Sequence, residues 1–451
     1  MSKEDTTPHV RFHPLAWPVI ALSLAAGLSS CARSAAPTST PLRLSAQQVP
    51  DSSFGQGRVV TTDLRSRGGE EAQKIVVMDD GRLIIVAVAG AQIGVARYLP
   101  DGAPDATFGT QGHVTLDLGY ALGLGVMADG RIVLAGSNDF GSAQNVRVIR
   151  LLADGALDPS FGTGGVVTTD LGGSDTAFDL ALQPDGRVVV ARAYGPLPSS
   201  FFALRYTADG QLDPTFGLGG IAQTPMHGFS QPERVRIDSS GRIVLAGMDI
   251  IDGSDQRGYA VVARYLADGI LDPTFGQSGV SSTYIGQVAG VHAIDIQPDG
   301  RIVVGGAGFV GFIVVRLDAQ GTPDWTFGGG DGVADAGPDF GGGHAWWLVV
   351  RRNGKILMAG TTAHIFSGST PQDSWGLAQF NPDGSLDTLF GDQGYPDFAV
   401  APGTARDITL QSDGRAVVVG ALDQEFPRER EQRPERRPRR QGLEIPRSHG
   451  P

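Results

Sequence analysis

One cysteine, Cys31, stands among 451 residues. No intrachain disulfide can form, so folding rests on packing alone. With no partner cysteine, and no histidine set at ligand spacing within the body of the chain, no metal site is expected. The sequence has no GxxxxGK[ST] loop, no GxGxxG leading from a strand into a helix, and no GxSxG elbow. The grounds for nucleotide binding and for a serine hydrolase are therefore missing. No catalytic residues and no cofactors are expected. Charged residues are few, at 19%, and the formal charge of −12 disfavours nucleic acid as a partner.

What the chain has in quantity is glycine, 65 residues of it, in a regular pattern. The stretch Gln211 to Gly220 reads QLDPTFGLGG, and close copies recur. Asp213-Pro214 is a turn, Leu212 and Phe216 are its apolar flanks, and the glycines permit positive φ before the next strand. The copies end in Phe-Gly at Phe54, Phe108, Phe161, Phe216, Phe275, Phe327 and Phe390, at intervals of 52 to 63 residues. Between them recurs a turn followed by a basic residue, as in Asp80-Gly81-Arg82 and Asp185-Gly186-Arg187. It reads as a two-residue hairpin. Two alternating markers in seven copies define a repeat protein.

Each copy holds four short strand patterns. Three and five residues before the hairpin aspartate, every copy carries an apolar residue, as at Leu182 and Leu180. Period two with one buried face is a strand in a packed sheet. The expected fold is all-β, a seven-bladed β-propeller of four-stranded antiparallel blades over residues 41–426. A β-helix is the rival, but its coils are shorter and lack paired hairpins. The last copy lacks a strand. Aligning Phe54 with Phe216 places Leu42 to Ala46 as the N-terminal strand that completes the last blade, removing open edges.

The units LDPTFGxGG, LQPDGRIVVAG and FxxxRYxADG resemble the delta-60 repeat family of bacterial secreted proteins. The resemblance covers about Leu42 to Leu422 and implies a propeller-like fold. It implies no catalytic motif.

The ends differ from the repeats. An apolar run from Leu15 to Leu28 precedes Ser29-Ser30-Cys31. This looks like a bacterial signal peptide over residues 1–30 with a lipobox, Cys31 being lipidated. An ordinary cleaved signal or a short anchor is the alternative. Residues 31–40 read as a lipidated cysteine and tether, so membrane attachment and an outer-membrane or surface location are expected, with a periplasmic or secreted protein as the alternative. Residues 427–451 carry 8 Arg, 4 Glu and 5 Pro, a composition expected to be disordered.

Function is expected where copies differ. Seven residues before the hairpin aspartate stand Gln73, Leu122, Phe178, Glu233, His292, Trp346 and Arg406, a candidate binding rim. The loop between third and fourth strand patterns of copy six, with His364, Phe366 and Trp375, is a candidate binding loop. Trp346, Trp347 and Trp375 serve either as stacking platforms or as core fillers. Asp331, Asp335 and Asp339 leave Ca²⁺ open, against a plain acidic turn. The sequence favours a monomeric, non-catalytic binding or scaffold propeller for a protein or glycan. A carbohydrate-active propeller enzyme and a structural envelope protein are the alternatives.

Overall fold

A computed structural model describes residues 19–26, 48–51, 53–55, 59–62, 64, 70–139, 144–194, 200–251, 257–287, 290–308, 311–337, 343–364, 372–391 and 403–422. The described elements are all strands. Near the start lie β1 (Val19–Ala26), β2 (Gln48–Pro50) and β3 (Val59–Thr62). The first blade is β4 (Glu70–Val77), β5 (Leu83–Ala89), β6 (Gln92–Tyr98) and β7 (His113–Leu116). Next come β8 (Tyr120–Val126), β9 (Ile132–Ser137), β10 (Val146–Leu151) and β11 (Val166–Thr169), then β12 (Thr176–Leu182), β13 (Val188–Tyr194), β14 (Ser200–Tyr206) and β15 (Ile221–Pro225). The fourth blade is β16 (Phe229–Ile237), β17 (Ile243–Ile251), β18 (Arg257–Tyr265) and β19 (Val280–Gln287). The fifth is β20 (Gly290–Ile296), β21 (Ile302–Gly308), β22 (Gly311–Leu317) and β23 (Val333–Asp335). The sixth shows β24 (His344–Val350), β25 (Ile356–His364) and β26 (Gln372–Phe380), before β27 (Gly403–Leu410) and β28 (Ala416–Leu422).

Six antiparallel blades thus follow one another from β4 to β26, five of them four-stranded and the sixth with three described strands. This corrects the expectation of seven equivalent four-stranded blades. The remaining sheet is of a different make: β27 and β28 from the end of the chain join β1, β2 and β3 from its start. The inner strands β4, β8, β12, β16, β20, β24 and β27 pack in that order, and β27 returns onto β4. The ring is therefore closed, and the apolar clusters fill the wedges between neighbouring sheets.

The closing strand is also a correction. The edge of β28 is paired by β1, with Leu24 opposite Ala416 and Val19 opposite Ala421. Leu24 holds the register that Tyr206 holds opposite Val188 in the third blade. The expected closing segment, Leu42 to Ala46, lies outside the described residues. The reason is physical. Third strands are sandwiched between blades, so β10, β14 and β22 are buried along nearly their whole length. A continuous apolar run suits such a place better than alternation does. Val19–Ala26 has only Ser23 as a polar residue, whereas Leu42 to Ala46 has Arg43 and Ser45.

The hairpin is a three-residue loop, one residue longer than expected. Met78 N donates to Arg82 O and Gly81 N to Met78 O, both at 2.8 Å, with Gly81 at φ 85°. This is the bulged hairpin with glycine in the left-handed region.

The Arg-Tyr and Asp-Pro signatures turn out to be one device. Arg205 Nε donates to Asp213 Oδ2 at 2.8 Å, Nη2 to Thr215 Oγ1 at 3.0 Å, and Nη1 to Ala267 O of the next blade. Its guanidinium lies 4.6 Å from the Phe216 ring centroid. The planar fork of arginine lets one side chain hold a turn, a hydroxyl and a neighbouring carbonyl together. Arg97, Arg150, Arg264 and Arg316 repeat the pattern. Gly210 presses on the previous blade's Phe161, where an added Cβ would fall 3.1 Å from the ring. Closure uses the same parts: Asp51, the aspartate of the first Asp-x-x-Phe turn (the staple of each repeat), pairs with Arg415 of the last hairpin.

Candidate functional site

Every inner strand carries one bulge at the same place. The register skips between Ala72 and Lys74, Ala121 and Gly123, Ala177 and Asp179, Pro232 and Arg234, Val291 and Ala293, Ala345 and Trp347, and Ala405 and Asp407. The skipped residues are Gln73, Leu122, Phe178, Glu233, His292, Trp346 and Arg406, the variable column of the sequence. A bulge re-aims its side chain and bends the strand. The column therefore stands at one register of every inner strand around the ring.

Four blades and the closing sheet bring polar or aromatic groups together there. Arg406 Nε pairs with Glu71, and Gln73 Nε2 donates to Glu71 Oε2 at 3.1 Å. The Arg406 guanidinium stands 4.6 Å from the Trp346 ring, and the His292 ring 4.8 Å from it. His292 Nδ1 lies 3.8 Å from Glu233 Oε1, and Gln231 Nε2 donates to Glu233 at 2.7 Å. His292 Nδ1 and Arg234 Nε are buried with no hydrogen-bond partner among the described residues. Leu122 and Phe178 are half-buried and form an apolar arc on the other side of the ring.

The candidate loop fares differently. Trp375 is not a loop residue: it lies in β26, is 5% exposed, and donates from Nε1 to Ala421 O of the closing sheet at 2.9 Å. It is a core filler. His364 ends β25, its side chain outside the described residues, and Phe366 lies outside them too. Asp339 of the acidic loop also lies outside; among the described residues no group of three or more His, Cys, Asp or Glu is placed to hold a metal.

Next to this column is a layer that sequence reasoning missed. One residue on from the bulge stand Lys74, Gly123, Asp179, Arg234, Ala293, Trp347 and Asp407. Lys74 Nζ meets Asp179 Oδ1 at 3.1 Å from two blades away, and Arg236 Nη1 meets Asp179 Oδ2 at 2.9 Å. Trp347 receives Lys74 Nζ at 3.3 Å from its ring centroid, with Arg234 and Arg236 at 4.5 and 4.9 Å. The small Gly123 and Ala293 leave room for these large groups to cross the centre. Carboxylates also tie adjacent inner strands: Asp179 accepts from Val235 N, Asp295 from Val350 N and Asp407 from Ile75 N. The available signal was a column of ionisable residues inside apolar strands, at one register.

Burial governs the protonation of this layer. It lowers the Lys74 ammonium to about 7, against the pull of Asp179, and raises the Asp407 carboxyl to about 6, against that of Lys74. Burial also pushes Asp179 up, but Lys74, Arg236 and Arg234 outweigh it and leave the carboxyl low. A lysine whose folded value lies below its unfolded value penalises the native state fully below about pH 7, and the penalty fades as pH rises toward the unfolded value. Wild-type protein is thus expected to gain stability relative to Lys74→Met between pH 7 and 10, by up to about 1.4 kcal/mol per pH unit. Urea unfolding of both proteins across that range measures it. A constant difference removes the assignment.

Five segments, 79–108, 128–161, 183–216, 297–327 and 351–390, match the family model described as "Domain of unknown function (DUF5122) beta-propeller". Each ends on a staple phenylalanine. No curated relative matches the chain in sequence. Among solved structures, prolyl oligopeptidase B from Galerina marginata is similar over 75% of this chain and 45% of its own, at 13% identity and TM-score 0.43. The chain thus spans under half the length of that enzyme. Sqt1 from Chaetomium thermophilum is similar over 62% of this chain and 72% of its own, at 11% identity and TM-score 0.33. A polysaccharide lyase, an ulvan lyase, is similar over 76% of this chain and 88% of its own, at 9% identity and TM-score 0.42. Closed ring, blade topology and matched repeats together make this chain a β-propeller whose repeats are similar to the DUF5122 model.

Proposed function

We propose that the protein is a non-catalytic binding propeller that takes a glycan or protein segment at the mouth of its central channel. The observation that carries this is the alignment of the bulges: the column that differs most between copies is aimed at one mouth. Trp346 is the anchor there, with Glu71, Gln73, Glu233, His292 and Arg406 supplying directed polar contacts. The test is a glycan and peptide array probed with wild type and Trp346→Ala. Binding is expected to fall about tenfold or more in the variant. Equal binding by both removes the mouth from the reading.

A carbohydrate-active enzyme is the second reading, favoured by the shifted Lys74 and Asp407. Accessibility weighs against it. Lys74, Asp179 and Asp407 are 6%, 2% and 1% exposed, beneath the bulge layer, where a substrate does not reach them. Such a layer serves instead to hold the mouth residues in place.

The resemblance to the delta-60 repeat family and the lipobox-like leader favour a rival reading, an exported protein anchored through Cys31, in which residues 19–26 are removed and another segment closes the ring. Leader removal would take β1 out of the closing sheet, so the two roles of residues 19–26 exclude one another. The mass of the N-terminal peptide from cell envelopes distinguishes them.

A further inference from the structure

Copy six breaks the repeat at its staple, where Asp324-Trp325-Thr326 replaces Asp213-Pro214-Thr215. We propose that this break builds a second site, on the hairpin face, that binds a neutral polysaccharide by stacking a pyranose ring on Trp325. A cleft of about 520 Å³ opens there between the fifth and sixth blades. That volume falls within the range of small-ligand clefts, roughly 300–1,000 Å³. Trp325 lines it and is 66% exposed. Elsewhere this staple position holds Ser52, Ala106, Pro159, Pro214, Pro273 or Thr388, and none presents an aromatic face.

The rest of the cleft suits hydroxyl groups. Its lining includes Gly328, Gly329 and Gly330, at φ 65°, 85° and 110°, so backbone is reachable without intervening side chains. Its walls bear Asp335 and Asp383. Asp335 Oδ1 accepts from Gly337 N at 2.8 Å, and Asp383 Oδ1 from Ser385 N at 2.9 Å and Ser385 Oγ at 2.7 Å. In each the second oxygen has no hydrogen-bond partner among the described residues. The turn that fixes each carboxylate uses one oxygen and leaves the other free of turn bonds, on residues that line the cleft. A pyranose offers an apolar C–H face to the indole and hydroxyl donors to carboxylates. The same carboxylates repel a uronate or sulfated chain, which sets the ligand class.

The test is affinity electrophoresis of the full chain in gels containing xyloglucan, galactomannan or polygalacturonate. Retardation is expected in a neutral gel and not in polygalacturonate. Trp325→Ala should weaken it about tenfold, while Trp325→Phe keeps part of it. Because Trp325 is exposed, the alanine variant should melt like wild type, separating binding from folding. No retardation in either neutral gel, or equal retardation of wild type and Trp325→Ala, overturns the proposal. Loss in Trp346→Ala alone assigns the glycan to the channel mouth and likewise overturns it.

Discussion

Asp179→Ala is expected to destabilise the protein by about 3–5 kcal/mol, the loss seen when one partner of a buried ion pair is removed. The reason lies in what remains. Lys74, Arg234 and Arg236 all lower the Asp179 carboxyl and surround the Trp347 ring. Without Asp179, three cationic side chains share the channel centre with no anion between Lys74 and Arg236. Val235 N also loses its acceptor. Asp179→Asn keeps the volume and an acceptor oxygen, so it should fall between the two. Urea unfolding at pH 7 measures all three proteins. A loss below about 1 kcal/mol for the alanine variant would show that water already screens the layer.

Deleting residues 19–26 is expected to have a larger effect still: loss of the cooperative melt and aggregation on size exclusion. β1 is paired on one edge by β28 and on the other by β2 and β3. Its removal leaves open edges on β28 and β3 and unlinks the two ends of the chain. Open edges recruit other chains. Leu22→Pro is the gentler variant. It keeps the chain length but removes an amide from the strand, at the residue opposite Val418. It should lower the melting temperature without changing the first residue of the protein. An unchanged melt in both variants, or an envelope protein whose chain starts at lipidated Cys31, rejects β1 as the closing strand.

Much of the architecture was legible in the repeats. Leu180 and Leu182, with their counterparts, announced a strand with one buried face, and the turn glycines announced its hairpin. The staple was legible as a turn, but its partner was not. That Arg205 pins Asp213 and reaches Ala267 depends on where the next blade lies, and Arg-Tyr stands eight residues from its aspartate. The variable column pointed to a rim, and the bulges show why those side chains leave the sheet. The charged layer escaped because Lys74 and Asp179 are 105 residues apart, so no local spacing links them.

Taken alone, the amino-acid order determined the unit: strand, hairpin, strand, staple, set by period-two burial and turn chemistry, both local. It also determined that the copies follow one another around a common core. How many copies form full blades, which end segment lies beside β28, and which ionisable groups meet at the centre were decided only by tertiary structure. These depend on contacts between residues far apart in the chain, where available space and burial select among segments of similar local character. Gly123 and Ala293 make that space, and no pattern in their own strands reveals it.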